Sequence, residues 1–204
     1  AGVMTENFDA DTTTALEETE RFLAFLQRQR FDYKAPLKIE VLLGGPEAKR
    51  LHQTFSGKPK QVKEAVVRKL AAGVVQMPDP MIAGCVSVWI GGMVEDGIDP
   101  APLAEALVTR LPADFAAARR FIELLEAETT FESPDKADTS TLAMLGRKDS
   151  TGASAWAALQ FSTMAAMTAW CRHRPSRLSA KAVPGFAEDA VFLGERGGYS
   201  SYIG

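Results

Sequence analysis

Residues Asp79 to Gly97 read DPMIAGCVSVWIGGMVEDG, and from Pro80 to Val94 this stretch carries no charged side chain. A segment of that composition is buried when a chain folds in water. Asp79 can accept from the free amides of a first helical turn, Pro80 has the φ that such a turn needs, and Gly97 suits its end. These signals predict a helix hidden on all sides. The alternative is a buried strand over Ile82 to Ile90, because CVSVWI is rich in β-branched and aromatic side chains and an unbroken apolar run has no period that separates the two.

Upstream, a polar, acidic leader over residues 1–13 precedes Thr14 and Glu17, which have capping-box spacing. A surface helix from about Ala15 to Arg30 follows, with Leu16, Phe22, Leu23 and Leu26 on its inner face. The segment LKIEVLL, Leu37 to Leu43, fits a short strand and a short helix equally. Pro46 opens a helix, PEAKRLHQTF. In the next one Val62, Ala65, Val66 and Leu70 point inward and Gly73 is the expected stop. Beyond Gly97, Leu103, Ala106, Leu107 and Leu111 form an inner face that Pro112 is expected to end, and Phe115, Ala118, Ile122 and Leu125 form the next.

Residues 128–151 are polar and turn-rich except for LAML, which reads as a long loop with one short helical turn. A second uncharged run, Ser150 to Cys171, is alanine-rich and should form a long helix from about Ala153 to Arg172. Its apolar weight is too alanine-based, and Gln160, Ser162 and Thr163 too polar, to drive insertion into hydrocarbon. FAEDAVFL is one further helical piece before a Gly- and Tyr-containing tail. The expected organisation is therefore a leader over 1–13, a helical domain over 14–127, a loop over 128–151, and a buried helix with an irregular tail over 152–204. The fold class is mainly α, a compact multi-helix bundle or irregular helical array with at most a minor β element.

With 204 residues and 46% hydrophobic content the chain can bury a sizeable core without staples. A net charge of -3 argues against a general nucleic-acid binder. Cys85 and Cys171 lie in apolar runs without metal-ligand spacing, which fits reduced thiols in the cytoplasm. The N-terminus lacks the basic and apolar regions of a secretory signal.

Candidate sites are few. His52 and His173 have no partner at zinc spacing, and no GxxxxGK, GxGxxG or GxSxG pattern occurs, so no cofactor, metal or catalytic group is expected. Gly44 and Gly45 ahead of a helix, with Lys49 and Arg50 one turn in, suit an anion or an ordinary turn. Lys58, Lys60, Lys63, Arg68 and Lys69 form one basic set. Arg172, His173, Arg174, Arg177 and Lys181 form another, near Tyr199 and Tyr202, and arginine and tyrosine are the residues that anchor protein interfaces. The expected role is a non-enzymatic scaffold, adaptor or regulatory module that binds a protein partner or itself. The alternative is an enzyme or small-molecule binder with a pocket between Trp89, Trp156 and Trp170.

Overall fold

The computed structural model describes residues 2–35, 38–128 and 136–196, with side chains described from Ala10 onward. Among the described residues there are ten helices and no strand. The helices are α1 (Gly2–Gln27), α2 (Ile39–Gly44), α3 (Pro46–Phe55), α4 (Lys60–Gln76), α5 (Pro80–Glu95), α6 (Ala101–Glu128), α7 (Thr139–Lys148), α8 (Ser150–Arg172), α9 (Arg174–Lys181) and α10 (Phe186–Gly194).

The uncharged stretch is helical throughout, so the strand alternative over Ile82–Ile90 is set aside and α5 is buried on nearly every side. Its partner is the second uncharged run, α8, which also packs along α6. Small side chains bring these two backbones together. A Cβ at Gly84 would meet the Ala158 methyl at 3.4 Å, and one at Gly91 would lie 3.8 Å from Thr168. Helices this close favour small residues in the seam, and α8 supplies Ser154, Ala158, Ala165 and Thr168 there, with Phe161 the bulky exception whose Cβ lies 3.5 Å from where a Gly84 Cβ would be. Around this centre α1 packs on both α3 and α4, and α4 leans on α5 and α6, while α7 lies on α8, and α9 and α10 lie on α6.

Buried polar side chains fix how the segments meet. Asp79 caps α5 by accepting from Met81 N at 2.9 Å and Ile82 N at 3.2 Å, and its other oxygen accepts from Phe31 N at 2.9 Å. Arg110 of α6 donates to the carbonyl oxygens of Val74, at 2.7 Å, and Met77, and its Nε pairs with Asp114 at 2.8 Å. A cation is thus buried against the negative end of α4 and satisfies carbonyls that the helix leaves open. Burial of the Asp114 carboxyl raises its pKa despite this partner.

Several boundaries differ from expectation. Thr14 does not start α1: its hydroxyl donates to Ala10 O at 3.0 Å inside a helix that already runs from Gly2, so the expected leader is helical backbone over 2–13, with Ala1 outside the described residues. LKIEVLL contains α2, with Leu37 outside the described residues. Gly73 lies within α4, its missing side chain making room for Leu23 of α1. Pro112 lies inside α6, which continues through it; the lost hydrogen bond is offset by the packing of Leu111 and Phe115 on either side, both buried. The loop over 128–151 holds α7 and the start of α8, capped by Asp138 and Asp149, and only residues 129–135 fall outside the description.

Candidate functional site

The C-terminal end of the molecule is set by a sharp reversal after α8. His173 closes α8 and caps α9: its Nδ1 accepts from Ser176 N at 3.4 Å and lies 2.8 Å from Ser176 Oγ. Only one residue therefore separates two helices. Four residues later Gly185, at φ +80, turns the chain into α10 with a backbone conformation that side chains rarely tolerate. Helix α10 is then clamped on α6. The Phe192 ring lies under the Arg119 and Arg196 guanidinium groups, at 4.3 Å and 3.5 Å, while Arg119 pairs with Asp189 at 3.2 Å and Arg196 with Glu126 at 2.6 Å.

Between the end of α8, α9 and α10 lies a depression of about 250 Å³. Trp170 and Phe186 line it, their rings meeting edge to face with centroids 6.0 Å apart, and Ala180, Ala187 and Ala190 leave the space open. The Trp170 indole donates to Ala104 O at 3.0 Å, so this wall is fixed by α6. Arg177 and Lys181 line the same depression. Both are exposed, as are Arg172 and Arg174, and none of the four has a carboxylate partner among the described residues. No Asp or Glu occurs between Ser150 and Ala187, so α8 and α9 present cations without acids of their own, and the nearest acids in sequence beyond them, Glu188 and Asp189, open α10. Leu178, 52% exposed, sits among these cations.

The other basic set has a different setting. Lys58 pairs with Asp11 at 3.2 Å, Lys60 with Glu64 at 3.7 Å and Lys69 with Glu20 at 3.3 Å, and Lys63 lies over the Phe55 ring. Three of the five cations are thus offset by carboxylates, while Arg68 is exposed.

The turn at Gly44 and Gly45 does join α2 to α3, but Gly45 is extended and its C=O starts the α3 ladder by accepting from Lys49 N. Glu47 already places a carboxylate at this helix start and lies 3.9 Å from Arg50, and Lys49 points to solvent. A charged groove of about 420 Å³ between α1 and α3 includes Arg50, and there too Arg21 is paired with Glu18.

The three tryptophans do not share a pocket. Trp89 packs on Phe22, Trp156 on Phe121 and Trp170 on Phe186, and the last two lie fourteen residues apart on α8, about 21 Å by the helical rise. Of the expected partner-binding residues, Arg177 reaches the depression, Arg172 and Arg174 flank it, and His173 serves as a helix cap. Tyr199 and Tyr202 lie outside the described residues. Sequence reasoning did not single out Trp170 with Phe186 as a pair; the signal available was the absence of acids from Ser150 through Ala187, across α8 and α9.

Cys171 is exposed and Cys85 is buried, its thiol pushed up to about 12 by burial and by the charge of Asp79. Among the described residues no group of three or more His, Cys, Asp or Glu side chains is placed to hold a metal ion, and no helix is long and apolar enough to cross a membrane. Compared with known proteins, the chain matches no protein family, no curated protein and no solved structure.

Proposed function

We propose that this chain is a non-enzymatic binding module whose C-terminal face, formed by the end of α8 with α9 and α10, docks on a protein partner. The observation that carries this reading is the set of exposed cations at Arg172, Arg174, Arg177 and Lys181, unpaired among the described residues, beside an apolar depression. By contrast Lys58, Lys69 and Arg119 are each paired with a neighbouring carboxylate. Unneutralised charge steers an acidic partner to the face, and the apolar floor supplies the desolvated contact that holds it. Two free thiols suit a module working in a reducing cytoplasm.

The test is affinity capture from the native lysate with the wild-type chain and with R174E/R177E/K181E, followed by reconstitution with the purified partner. All three positions are exposed, so circular dichroism of the variant should match wild type. Loss of the reconstituted complex in the variant supports the reading. A chain that stays monomeric and forms no complex, or binds equally in both forms, overturns it.

A further inference from the structure

The depression beside Trp170 accommodates a single side chain. Its volume of about 250 Å³ falls below the roughly 300 to 1,000 Å³ of pockets that enclose a drug-sized ligand. Its walls are preformed, because Trp170 is held by Ala104 O and buttressed by Phe186, so filling it needs little reorganisation. Its rim is cationic at Arg177 and Lys181.

We propose that this depression is the anchor pocket for an acidic peptide segment of the partner, which inserts one large apolar side chain while its flanking carboxylates pair with Arg177 and Lys181. The proposal rests on the binding-module reading and gives the partner its chemistry. A small free anion would use the two cations and leave the apolar floor unfilled. A neutral apolar ligand would fill the floor and leave the cations unused. Nucleic acid needs ring faces for base stacking, and Trp170 is only 4% exposed. An apolar residue between carboxylates satisfies both halves of the site, and the guanidinium of Arg177 suits carboxylates in a forked, bidentate geometry. Leu178, next to Arg177 and exposed, offers a second apolar contact outside the pocket.

Isothermal titration of the full chain with a synthetic peptide of glutamates around one phenylalanine, and with the same peptide carrying alanine instead, tests this. The phenylalanine peptide should bind at least about tenfold more tightly, the worth of one well-filled anchor. Ala187 lines the pocket and is exposed, so A187W should fill the mouth without touching the core, and A187V should fill it partly. Affinity for the phenylalanine peptide should fall in the order wild type, A187V, A187W, by about tenfold overall, while that for the alanine peptide stays constant. R177E/K181E should weaken both peptides, and added salt should do the same. Equal affinity for the two peptides, or no effect of either Ala187 variant, overturns the anchor pocket; if R174E/R177E/K181E still loses the partner, the module reading stands. Binding to phosphatidylglycerol vesicles or to single-stranded DNA with neither peptide bound overturns both.

Discussion

Ser154 Oγ on α8 donates to Asp79 Oδ1 at 2.6 Å and accepts from Met81 N at 3.0 Å, so one hydroxyl links the start of α5 to the helix packed against it. The Asp79 carboxylate, only 6% exposed, thereby gathers donors from three segments: its own helix, Phe31 after α1, and α8. Asp79→Asn keeps the shape but turns an amide N–H₂ towards groups that donate. The expected loss is about 2 to 3 kcal/mol, the worth of a buried hydrogen bond to a charged group, or a drop in Tm of about 4 to 12 °C. Ser154→Ala should cost less, about 1 to 2 kcal/mol. Thermal melts followed by circular dichroism check both; an Asp79→Asn melt equal to wild type would refute the hub.

Glycines within helices separate by what their missing side chain faces. Gly92 in α5 is exposed and a Cβ there would meet nothing within 4 Å, whereas one at Gly73 in α4 would run into the Leu23 side chain. Gly92→Ala should therefore stabilise by about 0.5 to 1 kcal/mol through helix propensity and unfolded-state entropy. Gly73→Ala should destabilise, because the overlap with Leu23 exceeds that gain. Urea unfolding of the pair decides it, and equal shifts of the same sign would refute the distinction.

The contrast between these glycines also shows what was legible in the sequence. Buried faces were readable, since Val62, Val66 and Leu70, or Leu103, Leu107 and Leu111, recur at helical spacing and all are buried. Helix starts with a capping aspartate were readable at Asp79 and overlooked at Asp138, whose oxygens accept from Thr141 N at 2.7 Å and from its hydroxyl. Helix ends were not readable, because Gly73 and Pro112 are stop signals in an isolated helix and tertiary packing overrides them here. The basic clusters looked alike along the chain. Their difference lies in long-range pairs such as Lys58 with Asp11 and Lys69 with Glu20, which depend on α1 lying beside α3 and α4.

The two thiols should differ sharply. Iodoacetamide at neutral pH should modify exposed Cys171 and leave Cys85 intact until the chain unfolds, as read by mass spectrometry of peptides. The Cys85 thiol has a folded pKa of about 12 against 9.0 when free, so the fold binds its proton more tightly than the unfolded chain does. Its contribution to stability is whole below about pH 9 and is lost as pH rises towards 12, with a slope of up to about 1.4 kcal/mol per pH unit. Burial raises the Tyr33 phenol as well and acts in the same direction. Cys85→Ala should flatten the alkaline loss of stability, and an unchanged slope would show that this thiol titrates normally.

The reversal at His173 makes the candidate site depend on one imidazole. Nδ1 accepts from Ser176 N and faces Ser176 Oγ, replacing the oxygen that usually caps a helix start, and Arg177 and Lys181 project from the helix so fixed. His173→Ala should remove about 1 kcal/mol of cap energy and loosen α9, while His173→Asn should keep the cap with its side-chain oxygen. Because α9 is short and lies at the periphery, global melts should move by only a few degrees. The sensitive readout is amide hydrogen exchange, which should speed up at Ser176 and through the first turn of α9 in His173→Ala and stay near wild type in His173→Asn. Peptide affinity should follow the same order, because a frayed α9 no longer holds Arg177 at the mouth of the depression. Equal exchange in both variants would mean that α9 is held by the burial of Ser176 and Ala180 against its neighbours, with the histidine cap adding nothing.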